Sequence, residues 1–373
     1  RVLPDLPPCR STPALCAFNA FKFKMVETDN TPLPRVLVEV TRGSLVESRH
    51  RGWVEVVDSA GRSLASVGDG ETRTFFRSAA KPFQAIPLIT SGAASHFGLT
   101  PQELSVIAGS HSGEEIHLEA VASILARGGL TVDQLQCGTH SPFDHRAAKA
   151  LRAAGHQPSI LHNNCSGKHA GMLLLARHGG HPLESYLTPE HPIQQQILEV
   201  VAGFTGTPAE EVVIAVDGCS APVFGVSLRG MAHSYARLVD PPVGSEYGEA
   251  AGEVVAAMTG YPEMVGGTAG RLDTDLMKAL PGRIVAKVGA EGVQLLGLLP
   301  DSRQSRGIGI AIKIEDGDIR RARDPVVIEV LRQLGVIGEN ELAQLAGYAR
   351  ATIHNHRRLA VGEVRTVFSL SDG

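Results

Sequence analysis

The sequence predicts a mixed α/β domain of the α+β type, an antiparallel sheet built from N- and C-terminal strands and packed with helices. Three observations carry this. β-Branched runs open the chain and return in its last third, helical periodicity fills the span between them, and no internal repeat or clear linker divides it. Residues 31–373 are therefore expected to form a single domain.

PRVLVEVTRG and GWVEVVDSAGRSLASVGD read as strands, the second broken by an Asp-Ser-Ala-Gly turn that suits a hairpin. From residue 78 the period changes, and helices are expected at 78–93, 114–127, 144–154, 167–178, 190–204 and 246–259. EVVIAVDG, GRIVAKVGAEGVQLLGLLP and RGIGIAIKIEDGDI return to strand patterns, and two last helices are expected near 324–335 and 339–347. All these strands are expected in one sheet. The Pro-rich opening lacks an apolar stretch with a small-residue cleavage site, and Met25 begins a more ordinary sequence. We expect residues 1–30 to be a disordered leader.

The chain has 373 residues, 43% of them hydrophobic and 20% charged, enough for a large core. A net charge of -4 with scattered Lys and Arg argues against nucleic acid as a partner, and no apolar run reaches membrane-spanning length. Five irregularly spaced cysteines do not make a disulfide framework, which points to a reducing cytoplasm.

RSAAKPFQ raises the question of chemistry. Three helical positions separate Ser78 from Lys81, so the two share a face where the amine can deprotonate the hydroxyl, provided burial lowers the lysine pKa. Pro82 suits a helix start. The competing reading is a capping serine beside a solvated lysine. Two further pieces follow in the order used by serine acyl-transferases of the penicillin-binding type, Ser110-His111-Ser112 and Lys287-Val288-Gly289. Gly289 is expected to leave a strand surface bare for substrate. The competing readings here are a turn serine and a strand-edge lysine.

HNNCSGKHAGM carries Cys165, Lys168 and His169 into an apolar helix, and VDGCSAP carries Asp217 and Cys219 out of a strand. So many polar groups are costly to bury without partners. Two thiols suit zinc, yet no C-x-x-C or H-E-x-x-H spacing occurs, and a free buried thiol pair remains open. Counting histidines likewise leaves a Ser-His-Asp triad open.

FFRSAAKPFQAIPL, AGSHSGEEIH, HNNCSGKHAGML, VDGCSAPVF and AKVGAEG, in that order, resemble the Rhizobium etli-type L-asparaginases over about residues 35–370. The resemblance implies a fold like serine β-lactamases, penicillin-binding proteins and serine glutaminases, a homodimer, and hydrolysis of L-asparagine to L-aspartate and ammonia. It implies two Ser-Lys couples, Ser78 with Lys81 and Ser110 with Lys287, and a zinc held by Cys165, Lys168 and Cys219. It assigns Arg77, Asp217 and His169 to substrate, Asp217 to its ammonium. A glutaminase, a penicillin-binding acylase, and a zinc- or amino-acid-binding sensor without catalysis are the rival functions.

Overall fold

The computed structural model describes residues 33–302, 304–349 and 351–372. The expected leader, residues 1–30, lies outside them.

Strands β1 (Arg35–Arg42), β2 (Leu45–Asp58) and β3 (Ser63–Val67) open the main sheet as an antiparallel meander. The β2–β3 turn forms at Asp-Ser-Ala-Gly as expected: Gly61 takes φ +84° and its N–H bonds the Asp58 carbonyl at 2.8 Å. The remaining strands come from the last third of the chain: β7 (Ile284–Val288), β8 (Val293–Leu298), β9 (Ile308–Ile314), β10 (Ala351–His354), β11 (Ala360–Thr366) and the short β12 (Ser371–Asp372). The order β10-β11-β1-β2-β9-β8-β7, with β3 on β2 and β12 on β3, joins both ends of the chain in one sheet. Long β2 serves three partners, β1 along its first half and β9 and β3 along its second. The pairings with β1 and β9 meet at Gly52, where a Cβ would collide with the Lys313 carbonyl.

A second sheet corrects the expectation of one. β4 (Arg73–Phe75), β6 (Pro222–Ser227) and β5 (Val213–Val216) pair in the order β4-β6-β5. Three-residue β4 has no room to display alternation, so the strand it completes was unreadable in isolation. β10 to β12 were missed for the same reason: each is short or polar.

The expected helices form within a few residues of their bounds: α1 (Lys81–Thr90), α3 (Glu115–Arg127), α4 (His145–Ala153), α5 (Ser166–His178), α6 (Pro192–Thr205), α8 (Gly248–Gly260), α10 (Asp324–Gln333) and α11 (Glu339–Gln344). Besides two single-turn helices, Ala93–His96 and Pro262–Val265, three longer ones were not expected: α2 (Pro101–Ala108), α7 (Leu228–Val239) and α9 (Leu272–Ala279). α2 is signalled by a capping box, Thr100 with Glu103.

Helix α1 runs through the middle, with every residue from Lys81 to Leu88 buried, and α2, α5, α6 and α8 pack around it. α5 is buried from Ser166 to Ala176, apolar on every side after its first turn. α7 lies on β8 and β9 so closely that a Cβ at Gly309 would overlap the Ala232 carbonyl. Among the described residues no helix is long and apolar enough to cross a membrane.

Candidate active site

Ser78 lies in one 3-10 turn, Arg77–Ala80, that feeds directly into α1 with Pro82 at its first turn. Arg77, just before the serine, takes φ +52°, a left-handed conformation rare for a side-chain-bearing residue and often found where a site stores strain. The turn is pinned from below by the Tyr235 hydroxyl on α7, which donates to the Ala79 carbonyl at 2.8 Å. Ser78 itself is half-buried, and among the described residues its hydroxyl has no hydrogen bond.

Lys81 does not turn to Ser78. Its Nζ donates to the carbonyls of Gly109 (2.7 Å) and Asn164 (3.0 Å) and to Ser110 Oγ (2.9 Å). A buried ammonium needs three acceptors, and two carbonyls plus the second serine satisfy it better than Ser78 would. From the other side Lys287 Nζ donates to the same Ser110 Oγ at 2.9 Å and to the Val288 carbonyl at 2.9 Å. One hydroxyl thus joins two lysines drawn from α1 and β7. Burial is the first cause that holds both amines below the ordinary lysine value, Lys287 far below it; the charges of Lys81 and Arg271 further lower Lys287, and Asp273 opposes.

Beside this chain of groups stand the thiols. Cys165 immediately precedes α5, whose positive end favours a thiolate, and Cys219 closes the turn after β5. Lys168 Nζ donates to Cys219 Sγ at 3.0 Å. A hydrogen bond with Cys219, aided by Lys81 and Lys168, draws Cys165 well below the usual thiol range against the effect of burial, and the same bond pushes Cys219 up. Of the two sulfurs Cys165 is the one favoured to ionise, with Lys81 and Lys168 as the cations that favour it. Burial alone would lower Lys168, but Cys219, Cys165 and Asp217 outweigh it and raise the amine. Cys137 lies close enough to feel Cys219, and burial pushes it up to about 12, a neutral thiol.

His169 is fully buried. Its Nδ1 is 2.7 Å from the Tyr186 hydroxyl, while Nε2 has no hydrogen bond among the described residues and is influenced by the Cys219 thiol. Burial lowers its pKa to about 4, so the ring is neutral. An orphaned ring nitrogen, two sulfurs and an amine in one buried cluster fit a zinc-type donor set. Among the described residues no three or more His, Cys, Asp and Glu side chains gather closely enough to hold a metal ion by themselves.

Arg77 Nε meets Asp217 Oδ1 at 2.8 Å, which ties the Ser78 turn to the Cys219 turn. The arginine side chain is 27% exposed and the aspartate 12%, so this pair is the accessible edge of the cluster, with His169 behind it. His111, by contrast, is committed. Ser166 Oγ donates to the Leu161 carbonyl and therefore accepts from His111 Nε2 at 2.9 Å, while His111 Nδ1 accepts from Gly113 N–H. With both nitrogens engaged and burial depressing its pKa, His111 is no base for Ser110. That removes it from a triad with the neighbouring serine. Gly289 also corrects an expectation. Its bare surface faces the Phe76 carbonyl, 2.5 Å from where a Cβ would sit, so it admits the backbone ahead of Ser78 rather than substrate.

The structure therefore brings Lys81, Ser110, Lys287, Cys165, Lys168, Cys219, Asp217, Arg77 and His169 into one contiguous cluster, with Ser78 on the adjoining turn. Sequence reasoning missed the groups behind Ser110 and Lys287, Arg271 and Asp273. In sequence they stand only as the Arg-Leu-Asp that follows the glycine-rich GGTAG.

The model of the family described as L-asparaginase II matches residues 38–366. No curated protein matches the chain. Among solved structures, one described as Mglu in its native form is 16% identical, with a TM-score of 0.41, covering 76% of this chain and 63% of that one. A probable glutaminase from Bacillus subtilis complexed with 6-diazo-5-oxo-L-norleucine is 12% identical, with a TM-score of 0.37, covering 76% of this chain and 84% of that one. The chain thus spans less than two thirds of the length of the first of these.

Proposed function

The chain belongs to the L-asparaginase II family and is an amidohydrolase; from that premise we propose that its substrate is L-asparagine, hydrolysed to L-aspartate and ammonia through a serine-linked acyl-enzyme. The observation that carries this reading is Ser110 Oγ, 2.9 Å from both Lys81 Nζ and Lys287 Nζ in a buried setting. Two amines joined by one hydroxyl form a proton wire, and burial that depresses both lysines favours the neutral amines that base catalysis needs.

Ser78 is the nucleophile, since its hydroxyl is open and uncommitted while Ser110 is 2% exposed. Lys81 passes a proton through Ser110 Oγ to neutral Lys287, which frees Lys81 to take the proton of Ser78 as its oxygen bonds the side-chain amide carbon. The wire then runs backwards, protonating the amide nitrogen so that the C–N bond breaks and ammonia leaves. Water enters by the same two steps and cleaves the ester. Backbone N–H groups near Ser78 are proposed to stabilise the oxyanion, a contribution of about 3 kcal/mol per donor. Asp217 receives the substrate ammonium and Arg77 its carboxylate, with His169 behind them.

Cys165, Lys168 and Cys219 would hold a zinc ion, whose positive charge would orient substrate rather than generate the nucleophile. Lys168 serves as a ligand only after losing its proton. The protein is further proposed to be a homodimer, which rests on the family resemblance, in a reducing cytoplasm, which rests on its few irregularly spaced cysteines.

Ammonia release from asparagine and from glutamine by the wild type and Ser78→Ala tests the reading. We expect asparagine to be preferred and the variant to lose at least about a hundredfold in kcat. Equal or better turnover of glutamine overturns the substrate, and an unimpaired Ser78→Ala enzyme overturns the nucleophile. Amino-acid binding by the wild type without any ammonia would leave only a sensor.

A further inference from the structure

Helix α9 begins with a partly buried cation and a buried anion two residues apart. Arg271, in the residue before the helix, donates from Nη2 to the Ser110 carbonyl at 2.9 Å and from Nη1 to Ser112 Oγ at 2.7 Å and the Gly266 carbonyl at 2.9 Å. Asp273, 2% exposed, accepts from the Val288 N–H at 3.0 Å and from the Gln294 side-chain amide at 2.9 Å. Ser110 and Lys287 make the couple described above, and Val288 is the residue after Lys287 whose carbonyl also accepts from the lysine.

The Val288 residue is thus gripped at both ends, its N–H by Asp273 and its carbonyl by Lys287. Among the described residues neither Arg271 nor Asp273 forms a contact ion pair, so each buried charge is satisfied by dipoles of the two segments that carry Ser110 and Lys287. Unpaired charges are costly to bury, and apolar side chains would pack the start of α9 without that cost. What the charges add is a fixed distance between two strands of backbone.

We propose that Arg271 and Asp273 are positioning residues that set the separation of Ser110 and Lys287, the arginine gripping the serine segment and the aspartate the lysine strand from one rigid helix end. Its kinetic consequence rests on the amide-hydrolysing reading above. A shift of even an ångström between proton donor and acceptor is costly, so loosening either grip lowers kcat while leaving substrate contacts alone. The groups facing Lys287 are Lys81 on α1, Arg271 and Asp273 at α9, Cys165 ahead of α5, and Ser110. Of these, Asp273 opposes the burial that depresses Lys287.

Asp273→Asn is the test. The amide keeps the shape but can accept from only one of the two donors, and it removes the charge. We expect kcat for the amide to fall at least about tenfold with KM within about twofold, and the acid limb of kcat to move to lower pH by about one unit, because Lys287 stays neutral further into acid. Arg271→Lys should lower kcat with an unmoved KM. A purely structural role predicts lower melting temperature with an unchanged pH profile, and that result overturns the proposal, as does unchanged kcat in both variants. The titration of Lys287, followed by NMR of isotope-labelled lysine in wild type and Asp273→Asn, separates the two readings. It needs no turnover. A wild type that hydrolyses no amide would sink the function proposed above, whereas a Lys287 signal that titrates identically with and without the carboxylate would sink this one.

Discussion

Three lysines lie equally deep in this protein, and their proton affinities diverge. Lys81, Lys287 and Lys168 are 1%, 0% and 3% exposed. Lys81 and Lys287 face carbonyls, a hydroxyl and one another, and they are depressed. Lys168 faces two sulfurs and a carboxylate, and it is raised. Desolvation is the first cause at all three, so depth alone does not decide the sign; the charge of the partner does. One side of the cluster holds amines ready to lose protons, and the other holds an amine fixed as a cation against a thiolate.

The sharpest way to break that contrast is to remove one amine from each side. Lys287→Met should lower kcat by at least about a hundredfold, since the proton wire ends there. The same variant should be more stable than the wild type, by about 1 kcal/mol or more, because a buried depressed amine is replaced by an apolar chain of similar size. The sign follows from linkage. The folded-state pKa of Lys287 lies below its unfolded value near 10.5, so the folded state binds fewer protons between the two values and the wild type is penalised most at low pH. Chemical denaturation across pH 6 to 9, roughly the accessible window, should therefore find the advantage of Lys287→Met shrinking as pH rises. A variant that is less stable at every pH would mean that the amine is well satisfied after all.

On the other side the effect should reverse. Lys168→Met leaves a thiolate without its counterion and should cost the metal-free protein about 3 kcal/mol. Because the folded-state pKa of Lys168 is raised, its contribution is fully present below the ordinary lysine value and is lost only as pH rises through the folded value. The deficit should thus stay flat from neutral to mildly alkaline pH in the same denaturation series. A Lys168→Met protein as stable as the wild type would erase the difference between the two sides.

The smallest effect sharpens the contrast at the metal. A zinc ion bound through Lys168 must displace its proton, so affinity should rise by up to about tenfold per pH unit for each proton released. Calorimetric titration of zinc in buffers of different ionisation enthalpy measures that release. Binding without proton release would exclude Lys168 as a ligand.

Much of this arrangement was legible in the sequence, and what was not has physical causes. The Ser-x-x-Lys turn before Pro82 could be read because a helix start has a chemical signature, and the sheet of two chain ends could be read because β1, β2, β8 and β9 are long. Which serine Lys81 touches was not legible. Spacing favoured Ser78 by three residues, but the choice depends on two carbonyls, Gly109 and Asn164, that carry no side-chain signal and come from distant segments. Helix α2 escaped because ELSVIA mixes small and apolar residues, whereas α7 carries an apolar stripe, Leu228, Met231, Tyr235 and Leu238, that was overlooked. Arg271 and Asp273 escaped because a buried charge looks, in sequence, like a solvated one.

Gly309 carries a further consequence. Helix α7 rests on β9 there with no clearance, and the same helix holds up Tyr235, the prop beneath the Ala79 carbonyl. A single methyl group added to that glycine would act as a shim, lifting the prop and slackening the Ser78 turn. The enzyme's throughput is thus exposed to sequence changes that never come near a reacting atom, and a screen for silenced variants should recover some at this seam.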